Sequence, residues 1–253
     1  MKIVFLGSGN VATHLALAFK AAGQEILQVW SNTEANAQAL AQRVGCVAIS
    51  DLSTLDLGAD LYVIAIKDEA IAELAAALPS VAGVVAHTSG ATSIEALNSH
   101  KHHGVFYPLQ TFSKQKNIDL SDTPLCLEAS DAETMSLLQD AAMLISTASF
   151  QVDSEKRKVL HLSAVFACNF SNHLYQLGYS IMQQHGLDFE ILKPLIMETA
   201  RKVQDAVPFD VQTGPAVRGD EETMANHLQL LEVRPDLQDI YKTLSESIKK
   251  THL

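Results

Sequence analysis

Residues 2–12 read KIVFLGSGNVA, and this stretch decides the fold. A short run rich in β-branched residues leads into two glycines, Gly7 and Gly9, and then into VATHLALAFKAAG, whose apolar residues recur at helical spacing. Strand, tight glycine turn and helix in this order are typical of a dinucleotide-binding α/β unit. Gly7 permits the turn, Gly9 lets the backbone approach a pyrophosphate, and Ala12 replaces a third glycine where helix and sheet pack closely. The alternative interpretation is a turn with a structural role only.

The rest of the first half alternates buried strands with helical patterns. The predicted strands read EILQVW, GCVAIS, LYVIAI, GVVAHT, HGVFYPL, TPLCLEAS and SFQV, and a helix capped by Asp131 precedes the last of them. Such alternation predicts a mostly parallel sheet with right-handed crossovers. From Ser154 the pattern is helical, with helices predicted at 155–185, 188–206, 220–232 and 235–250. We therefore expect an α/β Rossmann-like domain, residues 1–153, followed by an all-α helical domain, residues 154–253.

Composition excludes several classes of protein. Hydrophobic residues make up 47% of the 253 residues and charged ones 19%, which is enough apolar material for a large core. The net charge of −11 argues against nucleic acid or an anionic membrane as a partner. The three cysteines are far apart and lack metal-ligand spacing, so we expect no metal site and a reducing, cytoplasmic location. The opening apolar run is too short for a signal peptide, and no segment is suited to span a bilayer.

The choice of cofactor depends on residues 28–36, QVWSNTEAN, at the end of the second strand. An NAD-binding chain usually has an Asp or Glu here, which bonds the ribose 2′-OH and repels a 2′-phosphate. This chain has the uncharged donors Ser31, Asn32 and Thr33 instead, and its first carboxylate, Glu34, comes late. This favours NADP over NAD. Alternatively, Asn32 or Thr33 only caps the next helix.

Further strand ends are expected to line the same crevice, because ligands bind at the carboxyl ends of parallel strands. One strand ends before Lys67, and another before a loop in which Ser89 and Gly90 face the expected nicotinamide. Thr92 and Ser93, next in that loop, fit a helix cap equally well. The predicted cofactor-binding residues are Gly7, Ser8, Gly9, Asn10, Val11, Ser31, Asn32, Thr33, Ile66, Lys67, Ser89 and Gly90.

The helical half begins with an unusual surface. Residues 159–187 contain no Asp, Glu, Lys or Arg, although Asn, Gln, His and Ser interrupt the apolar residues. At about 100° per residue, one arc of about 80° holds a polar stripe made of Lys158, His161, Asn169, Asn172 and Gln176. A solvated helix face normally carries Lys and Glu. Apart from Lys158 the stripe is uncharged, which indicates a pocket or an interface. A helix unbroken from 155 to 185 favours a homodimer.

Candidate catalytic groups come from this stripe and from the loop. His161 can exchange a proton near neutral pH, Asn169 and Ser89 can orient a substrate, and Asn172 can bind it. Arg218, in the segment TGPAVRGD, can clamp a substrate carboxylate or the cofactor phosphate. The alternatives are a buried polar network for the stripe and a local ion pair for Arg218.

Six stretches spread over almost the whole chain carry a resemblance: GSGNVATHLA, AIKDEAI, HTSGATSIEAL, GVFYPLQTF, HLSAVFACNFSNHLY and TGPAVRGD. They resemble a family of candidate NADP-dependent oxidoreductases in which a Rossmann-like domain precedes a helical domain of unknown function. The chain is also similar to pyrroline-5-carboxylate reductases, prephenate dehydrogenases and β-hydroxyacid dehydrogenases. The last group has a catalytic Lys shortly before an Asn in the first long helix of the second domain. Lys158 is a further catalytic candidate here, but Lys158 and Asn169 are too widely spaced to match this pattern, and His161 lies between them.

Together these features predict an NADP-dependent oxidoreductase that transfers hydride to or from a small carbonyl or imine substrate. The alternatives are an NADP(H)-binding sensor without turnover and a dimeric scaffold with a degenerate pocket. The sequence specifies neither the substrate nor the direction of the reaction.

Overall fold

An eight-stranded sheet forms the centre of the first part of the molecule. The computed structural model describes residues 1–113 and 118–252. The strands are β1 Lys2–Leu6, β2 Glu25–Trp30, β3 Val47–Ile49, β4 Leu61–Ile64, β5 Val84–His87, β6 His103–Pro108, β7 Leu125–Ala129 and β8 Ser149–Gln151. Their order is β3-β2-β1-β4-β5-β6-β7-β8, and every neighbouring pair is parallel except β6 and β7. This confirms the predicted Rossmann-like fold and each predicted strand.

Helices cover both faces of the sheet, because alternate residues of each buried strand point to opposite faces. The helices of this part are α1 Asn10–Ala21, α2 Glu34–Val44, α3 Ile71–Ala77 and α4 Ala132–Met143. Ile3 and Phe5 of β1 pack in one apolar cluster with α1, α2 and α4. Val4 and Leu6 pack in a second cluster with α3. Asp131 caps α4 as predicted, since its carboxylate accepts the Thr134 N–H at 2.8 Å.

The switch point of the sheet lies between β1 and β4. The chain runs from β1 outward to β2 and β3, and then returns to the other side of β1 to form β4. In open α/β sheets, ligands bind at the carboxyl ends of the strands at such a point. Gly7 and Ala65, which follow β1 and β4, therefore mark the place where a ligand site is expected.

The remainder of the chain is helical, as predicted. Its helices are α5 Ser154–Ala164, α6 Ser171–Gln184, α7 Lys193–Asp205, α8 Glu221–Leu230 and α9 Pro235–His252, and residues Val165–Phe170 form a π-helix between α5 and α6. Contacts group the chain into unit 1, Met1–Asn169, and unit 2, Phe170–Leu253. The domain boundary predicted at residues 153/154 stays a prediction.

Unit 2 has little core of its own. Its buried apolar residues among 170–252 are Met182, Ala216, Met224 and Leu237. Large apolar side chains are instead exposed along its helices, and they include Leu174, Tyr179, Ile191, Leu195, Met197, Val203, Val207, Phe209 and Leu230.

Candidate active site

A cleft of about 810 Å³ opens at the switch point of the sheet, within unit 1. Its lining contains every predicted cofactor-binding residue except Thr33. Strand β6 and the start of the helical segment contribute Tyr107, His161, Ala164, Cys168 and Asn169. The predicted cofactor residues and three of the predicted site residues, Ser89, His161 and Asn169, therefore share one cavity.

The glycine turn has the geometry that a bound pyrophosphate requires. Gly7 has φ +128°, and a Cβ on it would lie 2.2 Å from the carbonyl oxygen of Ala65, so only glycine fits between β1 and β4. A Cβ on Gly9 would meet no atom within 4 Å, which leaves open space over the start of α1. Helix α1 has no side-chain cap and no acid in its first turn, and its first intrahelical bond is donated by Thr13. The preceding amides point toward the open end of the helix and suit a phosphate.

The end of β2 carries uncharged donors. Ser31 and Asn32 line the cleft, whereas Thr33 does not and stands at the N-cap of α2 without a side-chain cap bond. The Thr33 N–H instead donates to the Ser31 hydroxyl at 3.4 Å. Lys67, which also lines the cleft, supplies an exposed ammonium group. These groups fit an anionic 2′-substituent better than a 2′-hydroxyl.

The loop after β5 is held in one conformation by its own side chains. The Ser89 hydroxyl accepts the N–H groups of Ala91 and Thr92 at 3.1 and 2.9 Å, and Ser89 still faces the cleft. His87 accepts the Ser89 N–H at Nδ1, 3.1 Å away, and contacts the Ser93 carbonyl through Nε2. Burial and the nearby Arg157 charge lower the pKa of His87 to about 4, so its ring is neutral. Ser93 caps the short helix Ile94–Leu97 that follows. This helix cap was one of the roles considered for Ser93 from the sequence.

Tyr107 and His161 form a hydrogen-bonded side-chain pair that joins β6 to α5 in the cleft. The Tyr107 hydroxyl lies 3.1 Å from Nδ1 of His161, and the two rings meet edge to face. Burial raises the pKa of Tyr107 to about 12, so its hydroxyl keeps its proton at neutral pH. The Cα of Gly90 packs against both rings, since a Cβ there would lie 2.7 Å from Nδ1 of His161. Sequence reasoning missed Tyr107, and the only signal was its place in GVFYPLQTF.

The segment after β6 closes over the glycine turn. Asn10 donates from its side-chain amide to the Phe112 carbonyl at 3.0 Å, and His14 contacts the Ser113 carbonyl at 2.9 Å. Phe112 also lies against the His14 ring, with centroids 5.2 Å apart. These contacts hold the segment against α1, and its five consecutive residues 108–112 line the cleft. Asn10 thus has a structural bond besides its predicted contact with the cofactor.

The polar stripe requires a correction. Its 80° arc assumed an α-helix throughout, but residues Val165–Phe170 adopt a π-helix, which has more residues per turn. The residues after this segment are therefore rotated away from the positions that a straight wheel gives them. His161, Ala164, Cys168 and Asn169 line the cleft, whereas Lys158, Asn172 and Gln176 do not.

Three predicted residues lie elsewhere. The Lys158 ammonium pairs with Glu155 at 2.7 Å and is exposed, so Lys158 has no place in the mechanism proposed below. Asn172 is exposed on α6, and Arg218 lies before α8, both in unit 2. Arg218 pairs with Asp220 at 3.7 Å, and Asp220 caps α8 by accepting the Thr223 N–H. The local ion pair was the alternative role considered for Arg218.

Within the described residues, no cluster of three or more His, Cys, Asp or Glu side chains is arranged to hold a metal ion. None of the described helices combines the length and the apolar character needed to cross a bilayer.

Comparisons with known proteins match both parts of the chain to known families. Residues 2–88 match the family described as "NADP oxidoreductase coenzyme F420-dependent". Residues 123–248 match "Domain of unknown function (DUF2520)". A search of curated proteins gives no match.

Solved structures extend the match to the whole chain. A candidate NADP oxidoreductase of Bacteroides fragilis is 42% identical, with 98% of each chain covered and a TM-score of 0.94. A reductive aminase of Aspergillus terreus, solved with NADPH and ethyl-5-oxohexanoate, is 15% identical over 100% of this chain and 96% of its own, with a TM-score of 0.71. A pyrroline-5-carboxylate reductase of Coxiella burnetii is 16% identical over 97% of each chain, with a TM-score of 0.57. The last two show a common fold only. The chain belongs to the family of NADP oxidoreductases that join a Rossmann-like domain to a C-terminal DUF2520 domain.

Proposed function

We propose that this NADP-dependent oxidoreductase transfers hydride to or from the carbonyl or imine carbon of a small polar substrate. The observation that carries the proposal is the Tyr107–His161 pair, 3.1 Å apart, in the same cleft as the glycine turn. The nicotinamide ring supplies or accepts the hydride when the cofactor is bound. The chain itself must bind the phosphates, orient the substrate and move one proton.

His161 is the proposed proton carrier. We assign the Tyr107 hydroxyl, which stays protonated at neutral pH, as the donor and Nδ1 of His161, 3.1 Å away, as the acceptor. The proton of the neutral ring is then on Nε2. As hydride arrives, this proton passes to the substrate oxygen or nitrogen while Nδ1 takes the Tyr107 hydroxyl proton, so the ring stays neutral and the Tyr107 phenolate is reprotonated by water. In the opposite direction, the same two proton transfers run in reverse. Tyr107 thus fixes the tautomer and the orientation of the ring.

The other cleft residues bind and orient. The amides that start α1 bind the pyrophosphate, and Ser31 and Asn32, with the Lys67 ammonium, bind the 2′-phosphate. Ser89 and Asn169 orient the substrate, because both line the cleft with His161. The substrates to screen first are small oxo acids and cyclic imines. The reductive aminase of similar fold, with its NADPH and oxo ester, supports this choice. The comparisons offer nothing in favour of a sensor without turnover.

Replacement of His161 tests the proposal. We expect His161→Ala to abolish NADPH oxidation with the best substrate of the panel, while the affinity for NADPH, followed by nicotinamide fluorescence, stays unchanged. His173→Ala is the matched control, because His173 is exposed in unit 2 and should not affect turnover. Unchanged turnover in His161→Ala would remove His161 from the mechanism. Tight NADPH binding without turnover of any oxo acid or imine would favour the sensor instead.

The helical part is proposed to form a homodimer. Helix α7 has no buried residue, and Leu195 and Val207 are each 63% exposed. A second copy of the chain would cover such apolar surface, which a monomer rarely presents to water. Sedimentation equilibrium tests this: Leu195→Glu should weaken the dimer, whereas Gln204→Glu, on the opposite side of α7, should not. A wild-type chain that sediments as a monomer would reject the dimer.

Two further expectations belong to the proposal. The helical substrate and dimerisation domain starts at residue 154, where Asp153 caps α5 by accepting the Lys156 N–H at 2.8 Å. The protein works in the cytoplasm, since Cys46, Cys126 and Cys168 are free thiols.

A further inference from the structure

Arg157, in the first turns of α5, is a fully buried cation. Its guanidinium pairs with the carboxylate of Glu128 on β7. It also donates to the carbonyl of Thr92 at 2.6 Å and to the Ser154 hydroxyl at 3.1 Å. Its Nε has no hydrogen-bond partner among the described residues.

Stability alone is a weak explanation for such a group. Desolvation of a buried ion pair costs several kcal/mol per ion, and apolar replacements of similar volume are often neutral or stabilising. The planar fork of Arg, however, fixes the relative positions of the groups that accept from it. Here those groups belong to three segments: strand β7, the loop after β5 and the start of α5.

Two of these segments meet again at the Tyr107–His161 pair. His161 follows Arg157 by four residues, so the two lie one turn apart on the same side of α5. Thr92 follows Gly90 by two residues, and the backbone of Gly90 touches the His161 ring. Arg157 therefore fixes the spacing between α5 and the loop one turn away from the place where His161 packs against that loop.

We propose that Arg157 is a positioning residue that holds His161 in the orientation and tautomer in which Tyr107 bonds to Nδ1. This rests on the proposed role of His161 as proton carrier. Lys in place of Arg157 keeps the charge but cannot reach Glu128 and Thr92 together. The His161 ring then moves relative to Gly90 and Tyr107. A misplacement of about 1 Å reduces turnover by about 100-fold.

The test observes His161 directly and needs no substrate. The full chain is labelled with 15N-histidine, the ring signals of His161 are assigned by comparison with His161→Gln, and spectra are recorded with and without NADPH. In the wild type we expect one tautomer, with the proton on Nε2. In Arg157→Lys we expect both tautomers, while the melting temperature and NADPH affinity remain close to wild type. Lys156→Met is the matched control, because Lys156 is exposed and pairs with Asp153 at the surface.

The outcomes separate the two proposals. Unchanged His161 signals in folded Arg157→Lys would overturn the positioning role and leave the proposed function intact. Mixed tautomers already in the wild type would overturn the arrangement in which His161 carries the proton. If Arg157→Lys does not fold, Glu128→Gln takes its place, since it keeps the size and one acceptor oxygen but removes the charge that fixes the guanidinium. Unchanged His161 signals in that variant would count equally against the inference.

Discussion

Gly7 and Gly9 stand two residues apart in one turn, yet the structure predicts opposite consequences for their replacement by alanine. At Gly7 the backbone has φ +128°, which costs an L-residue about 1–3 kcal/mol. The added Cβ would also lie 2.2 Å from the Ala65 oxygen and 2.8 Å from the Ala65 carbonyl carbon, both backbone atoms. Crowding of this kind adds about 1–3 kcal/mol. Gly7→Ala should therefore lower the free energy of unfolding by about 3 kcal/mol or more.

At Gly9 the same methyl group meets no atom of the chain within 4 Å, and φ −74° with ψ −168° suits any residue. The change in the free energy of unfolding should stay within about 1 kcal/mol, the range for a Gly–Ala exchange at an N-cap. The methyl group would, however, occupy the space over the start of α1. Loss of one or two phosphate hydrogen bonds there should weaken NADPH binding by about 10- to 100-fold.

Urea unfolding, followed by the fluorescence of the single tryptophan, Trp30, measures the first effect, and a nicotinamide fluorescence titration measures the second. Trp30 is buried at the end of β2, so its emission reports on the sheet. The two variants serve as controls for each other. A Gly7→Ala protein as stable as the wild type would refute the close approach of the turn to Ala65. Unchanged NADPH affinity in Gly9→Ala would refute the placement of the phosphates.

Three further outcomes are expected. Tyr107→Phe keeps the ring but leaves Nδ1 of His161 without its donor, so turnover should fall by about 10- to 100-fold with NADPH affinity unchanged; equal turnover would exclude a role for the hydroxyl. Ser31→Asp places a carboxylate at the end of β2, and fluorescence titrations should show NADPH binding weakened relative to NADH by at least about tenfold. If the variant still prefers NADPH, residues other than Ser31 bind the 2′-phosphate. The neutral form of His87 is favoured in the folded state, with a pKa of about 4 against 6.5, so the stability that it contributes is present above pH 6.5 and is lost as the pH falls toward 4. Urea unfolding between pH 7 and 4 should show His87→Gln losing less stability than the wild type, by up to about 3 kcal/mol, and parallel pH profiles would contradict the assignment.

Features encoded locally could be predicted from the sequence. Each buried strand is a short β-branched run, and the glycine turn is a contiguous motif, so the fold, the oxidoreductase class and NADP as cofactor were all predicted and are confirmed. The residues at strand ends were also predictable, because parallel strands bring their carboxyl ends to one edge. Thr33 is the exception, since it turns into α2 one residue beyond the cleft.

Features that depend on tertiary contacts were not predictable in this way. Arg157 lies in the basic cluster EKRK and has the sequence appearance of a solvated residue, yet Glu128 and Thr92, distant in sequence, surround it. In the sequence, Tyr107 looks like an ordinary strand residue. Its role depends on the tertiary contact between its hydroxyl and His161 of α5. The π-helix at Val165–Phe170 leaves no periodic signal in a single sequence, so the straight helical wheel that placed Asn172 and Gln176 on the stripe does not hold beyond Val165.

The scarcity of buried apolar residues in unit 2 has a consequence for the order in which the chain is made and assembled. Unit 1 emerges first from the ribosome and carries nearly all of the buried apolar side chains, so it has what it needs to fold during synthesis. Unit 2 emerges later with few apolar side chains that it can bury, and if the proposed homodimer forms, its folding should wait for a second copy. At low concentration we expect proteases to cut the newly made chain in its last third while unit 1 resists them. The cellular amount of this protein would then be set by the rate at which two chains meet.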